Sequence, residues 1–165
     1  MSRTGGRSRR RRSIFALGLV AGLAGTAVLS IFESLERRLL GREPVYAPAR
    51  LVARLAARAG IAIGASRARR LGRAMRWVYG PSLGIASAWL SSPSGPRPGR
   101  VLRRAAAILG FELVALPLVG AVPPLAAWPS VELLLLAAHT SAFAAGAELA
   151  FPPAAGWRTP NPSTL

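Results

Sequence analysis

A chain of 165 residues is long enough for one compact domain and short for two. Its 52% hydrophobic content excludes disorder over most of its length, and the absence of cysteine excludes disulfides, thiolate metal sites and a cysteine nucleophile. The net charge of +16 comes from 22 arginines against six glutamates, with neither lysine nor aspartate. Exclusive arginine beside heavy Ala, Gly and Pro has the mark of GC-rich coding, which accounts for part of the extreme pI.

Residues 1–13 form an Arg-, Ser- and Gly-rich tail. Residues 14–32 then run for 19 positions without a charge, about 28 Å as a helix, close to the roughly 30 Å of a bilayer's hydrocarbon core. The run is apolar all round, which a core helix of a small soluble domain is not. A basic start before an apolar run resembles an export signal. The run is nonetheless longer than a signal core, ends in IFESLERR without a small-residue cleavage site, and is followed by further hydrophobic segments, so a retained anchor is expected.

Residues 33–76 are a basic region in which arginines recur at helical spacing. Arg50, Arg54 and Arg58 lie beside Leu51, Val52 and Leu55; Arg69, Arg73 and Arg76 lie beside Leu71 and Met75. Both stretches read as amphipathic helices in the headgroup plane whose arginines contact anionic lipid, with Gly60 and Gly64 between them. The bland alternative is an ordinary solvated helix.

Three more apolar segments follow, at 77–92, 105–122 and 133–151. The second holds Pro81, and its apolar part stops near Leu90, which is short for a span. The third is interrupted only by Glu112 and holds Pro117, with Pro123 and Pro124 after it. The fourth carries His139 and Glu148, and the short connection makes the last two segments an antiparallel hairpin. Residues 152–165 are a Pro-rich tail. The expected fold is an all-α integral membrane four-helix bundle over 14–151, with a basic amphipathic interfacial loop between its first two spans. Of the arginines within about 15 residues of a span end, 11 lie on the N-terminal side and eight in the first loop, which favours cytoplasmic termini.

Small residues recur every fourth position: Gly18 and Gly22, with Ala21 and Gly25 beside them; Gly80 and Gly84; and Ala138, Ala142 and Gly146. Such spacing lets helix backbones approach closely in lipid, within the bundle or between two copies. Because three helices share the pattern, packing within the bundle is the simpler use of it. Glu112 and His139 fall at similar depth on neighbouring spans, which suggests an intramembrane pair that neutralises itself or relays a proton. Glu148 falls nearer the opposite surface, within snorkelling reach of the interface.

No phosphate-binding glycine loop precedes a lysine, no second histidine completes a zinc site, and no aspartate completes a triad, so neither a catalytic centre, a metal nor a cofactor is expected. Trp77, Trp89, Trp128 and Trp157 mark span ends as an interfacial belt does. They do not alternate with arginines as a nucleic-acid stacking platform requires.

The ordered segments GLVAGLAGT, FESLERRLLGREP, WVYGPSLG and FELVALPLVG, closed by a helix with His139 and Gly146, resemble the YagU-like group of small bacterial inner-membrane proteins over roughly residues 14–150. The resemblance implies four hydrophobic helices and gives Glu33, Tyr79, Gly80, Glu112, Pro117 and His139 as characteristic positions. It supplies no reaction. Where a histidine is expected before the Tyr-Gly pair, this chain has Arg76, Trp77 and Val78. The expectation is a non-enzymatic multi-pass protein of the bacterial cytoplasmic membrane, with anionic lipid and a larger membrane complex or a second copy of itself as partners. It would serve as a scaffold, accessory subunit or lipid-associated factor; the alternative is a small proton- or ion-coupled transporter using Glu112 and His139.

Overall fold

A computed structural model describes residues 3–41, 47–90 and 95–151; the Pro-rich tail, Trp157 and Ser91–Ser92 at the end of the expected second span lie outside them. The described residues are helical and contain no strand: α1 (Arg3–Leu40), α2 (Pro48–Arg58), α3 (Ala65–Leu90), α4 (Arg97–Leu118), a short 3-10 turn (Leu125–Ala127) and α5 (Ser130–Leu149).

α1 is longer than the apolar run inside it. Its 38 residues, about 57 Å, begin at Arg3, so the expected N-terminal tail is largely helical. Beyond the apolar run α1 continues through Glu33, Glu36 and Arg37. Thr26, Ser30 and Ser34 sit in the helix without needing outside partners. Each hydroxyl donates to the carbonyl four residues back, at 2.7, 2.8 and 2.7 Å.

α2 opens with Pro48 at its first position, where the missing N–H is no loss. It ends at Gly60, whose φ of +73° lets Gly60 N–H reach the Ala57 carbonyl (3.1 Å) and Ile61 N–H the Ala56 carbonyl (2.8 Å). The same closure at Gly120, φ +64°, ends α4 before Pro123 and Pro124 are reached.

Two boundaries drawn from the sequence are corrected. α3 runs unbroken from Ala65, joining the basic stretch to the apolar one in a single 26-residue helix that includes Pro81. α4 begins at Arg97, so the arginines at 97–104 belong to a helix and not to a loop. Both helices are therefore half arginine-bearing and half apolar. Among the described residues, two of the four helices that carry the expected spans are long and apolar enough to cross a membrane, α1 over Ser13–Leu39 and α5 over Ser130–Leu149.

α1 is the hub, packing against both α3 and α5; α2 packs on α3 and α4 on α5. The contact between α1 and α3 is made by backbone. A Cβ added to Gly84 would lie 2.3 Å from the Gly18 carbonyl oxygen and 2.4 Å from the Gly22 backbone; one added to Gly22 would lie 2.5 Å from Pro81 Cα. The neighbouring face of α1 receives α5, with Gly25 against the Phe143 ring and Gly146 against Val28. At the other end, Leu51 of α2 packs with Ala121, Val122, Trp128 and Leu136 over the α4–α5 connection.

Gly84→Ala should therefore lower the melting temperature in detergent, by about 1–3 kcal/mol of overpacking. Gly110→Ala, where an added Cβ meets nothing within 4 Å, should leave it unchanged or raise it.

Candidate functional site

An apolar core is present, but many large apolar groups are also exposed and several charged groups are buried. Large apolar groups face outward on four helices, among them Ile31 (71% exposed), Val78 (68%), Val114 (60%) and Leu134 (70%). Glu36, Arg100, Arg104, Glu132, His139 and Glu148 are all buried. A buried charge without a partner is strongly destabilising, so the pairing of these groups defines the interior.

The first cluster joins α4 to α5. Arg100 and Arg104, one turn apart, share a face and enclose Glu148. Arg100 donates through Nε (2.8 Å) and Nη2 to Oε1, and Arg104 Nη1 donates to Oε2 at 2.9 Å. A further Arg100 nitrogen, Nη1, donates to the Gly95 carbonyl at 2.8 Å, and the Arg104 guanidinium stacks on the Phe151 ring, 4.3 Å from its centroid. Glu148 thus does not snorkel to a surface; it is the acceptor of a buried two-arginine clamp. A sequence signal for this exists. Folding the hairpin back at residues 119–129 sets 100–104 beside 144–148, which the treatment of 97–104 as a loop concealed.

The second cluster ties α1 to both its neighbours. Glu33 and Glu36, three residues apart, lie near one another on the helix surface. Glu33 pairs with Arg76 of α3, and Glu36 Oε2 lies 2.6 Å from His139 Nε2 of α5. The Phe32 ring meets His139 edge-on, with centroids 5.2 Å apart.

Tyr79 of α3 donates its hydroxyl to Glu112 Oε1 of α4 at 3.2 Å. Glu112 and His139 line one half-open pocket of about 180 Å³ together with Glu33, Arg76, Tyr79 and Phe143. The pairing of Glu112 with His139 is nevertheless corrected, because Glu112 is held by Tyr79 and His139 by Glu36. Depth along the helices placed the two level, but rotation about α5 decides partners. The α5 face bearing His139 also bears Phe143 and Gly146, and that face packs on α1. Glu132, also unforeseen as a buried group, sits in the first turn of α5, where the helix dipole favours an acid.

The six arginines expected at lipid divide evenly. Arg54 Nη1 donates to the Ala121 carbonyl (3.3 Å) and Arg58 Nη1 to the Val119 carbonyl (3.0 Å), so both cap the end of α4 from α2. Arg76 is bound to Glu33. Arg50, Arg69 and Arg73 are exposed. Of the tryptophans, Trp77 and Trp89 are half-exposed, whereas Trp128 is buried and donates Nε1–H to the Pro123 carbonyl at 3.0 Å. Among the described residues no three His or Glu side chains converge closely enough to hold a metal ion. No family model, curated protein or solved structure matches the chain.

Glu148→Leu should destabilise the bundle by about 3–5 kcal/mol, since it strands two buried guanidiniums, and adding Arg100→Met with Arg104→Met should recover most of that in detergent melting. A double-mutant cycle should find strong coupling between Glu36→Leu and His139→Leu. Glu112→Leu combined with His139→Leu should give additive losses.

Proposed function

We propose that this chain is a non-enzymatic multi-pass protein of the bacterial cytoplasmic membrane, a lipid-associated scaffold in which α1, α3, α4 and α5 cross the bilayer with both termini cytoplasmic. The observations that support it are the large apolar groups exposed on all four long helices and the charged side chains paired in the interior between α4 and α5. Such a surface matches hydrocarbon and not water. Glu148 offsets one of the two charges of Arg100 and Arg104, which lowers the cost of bringing the arginine-bearing start of α4 into a low-dielectric layer. The resemblance to the YagU-like proteins supports the same reading. The exposed arginines on α2 and α3 supply the attraction to anionic lipid.

The protein should stay in the membrane through a carbonate wash and need detergent for release. Reporters fused after Leu165 and within residues 60–65 should report opposite sides of the membrane. Release by carbonate would overturn the membrane reading, and both reporters on one side would remove the α3 crossing.

A second reading, a small proton- or ion-coupled transporter, is favoured by the pocket of about 180 Å³ that Glu112 and His139 share. pH-dependent flux into proteoliposomes, lost in Glu112→Gln, would replace the scaffold with a transporter.

A further inference from the structure

The bundle leaves a cleft of about 510 Å³ between the last turns of α1, the first turn of α2 and the N-terminal half of α3. Six ionisable side chains line it: Glu33, Glu36, Arg37, Arg69, Arg70 and Arg73. The two carboxylates already have cationic or imidazole partners, Arg76 for Glu33 and His139 for Glu36. Arg37 lies close enough to Glu33 to act on its carboxylate, no ion pair is seen to Arg69, Arg70 or Arg73 among the described residues, and all four arginines are exposed. The four arginines and two glutamates of the lining leave the cleft a net excess of two positive charges, contributed by two different helices.

Its shape is built, not incidental. Gly72 lets the chain at Pro48–Ala49 seat directly on α3: a Cβ there would fall 2.7 Å from the Ala49 nitrogen and 2.8 Å from the Pro48 carbonyl carbon. That contact brings the positive end of the 11-residue α2 to the wall of the cleft. The rest of the wall is Ala47, Pro48, Ala49 and Ser66, small groups that leave the guanidiniums room to converge. Several planar guanidiniums around one cavity match the tetrahedral, multiply charged oxygens of a phosphate, to which each arginine can present two parallel N–H groups.

We infer that this cleft binds one phosphate-bearing anion through Arg37, Arg69, Arg70 and Arg73. Two sources share that chemistry, the headgroup of an anionic phospholipid and free phosphate. The lipid source rests on the membrane reading above; the phosphate chemistry does not.

The full-length protein, purified in an uncharged detergent, is titrated with dihexanoyl phosphatidic acid, dihexanoyl phosphatidylcholine and inorganic phosphate. Phosphatidic acid should bind one to one, and phosphatidylcholine at least about tenfold more weakly. Arg69→Gln with Arg73→Gln should weaken phosphatidic acid binding about tenfold or more, whereas Arg38→Gln with Arg50→Gln, the same loss of charge on arginines outside the cleft, should change it less than about threefold. Arg69→Lys with Arg73→Lys should give an intermediate affinity, since the pair keeps the charge and loses the fork. Binding of inorganic phosphate as tight as that of phosphatidic acid assigns the cleft to the free ion; binding of the lipid alone assigns it to a headgroup. Equal losses in the two glutamine pairs, or no saturable binding of either phosphate probe, would overturn the site. Phosphate binding by a chain that carbonate releases from the membrane would refute the membrane reading and leave the cleft standing.

Discussion

The close backbone crossing of α1 over α3 is the constraint on which the other contacts depend. With glycine at 18, 22 and 84, the two helices meet main chain to main chain, and no side chain holds them apart. Thr26, one turn beyond Gly22, then abuts Gly80, and two turns further on Glu33 reaches Arg76. The adjacent stripe of α1 is small enough at Gly25 to admit Phe143, which brings His139 of α5 within reach of Glu36. One helix with two faces of small residues thus sets the positions of both partners. The ion pairs at its end confirm a register already determined by packing.

Charge is placed with the same economy. Glu148 answers two arginines of α4, Glu33 answers one of α3, and Glu36 lies against the histidine of α5. In a low-dielectric interior such pairs do not add much stability over apolar residues, but each is strongly required once its partner is present. They therefore specify which helices meet and at what height. Four further arginines line the open cleft between α1, α2 and α3, while Arg54 and Arg58 are used to finish α4. An arginine stripe that looks uniform in sequence is in this way split between capping, ion pairing and exposure.

Much of this was legible from local patterns. The apolar stretches at 14–32 and 133–151 fall in helices because nothing within them breaks a helix, and Gly60 separates α2 from α3 because only glycine readily takes the left-handed conformation there. The small-residue spacing at Gly18, Gly22, Gly80 and Gly84 announced close helix contact. Less legible were the ends of elements. Arginines at 3–12 and 97–104 marked a tail and a loop by composition, yet arginine is a good helix former and the helices run through them.

What the sequence by itself determined is the helical class, the two long apolar helices and the inventory of charges that had to find partners, because these follow from residue type and period along one chain. Only the tertiary structure decided who pairs with whom. Glu112 and His139 share a depth and a pocket, yet a helix of 3.6 residues per turn gives each side chain its own azimuth, and the glycine contacts rotate His139 toward Glu36 while Glu112 meets Tyr79. Height along a helix can be counted from sequence; rotation about its axis is settled by the neighbours it packs against.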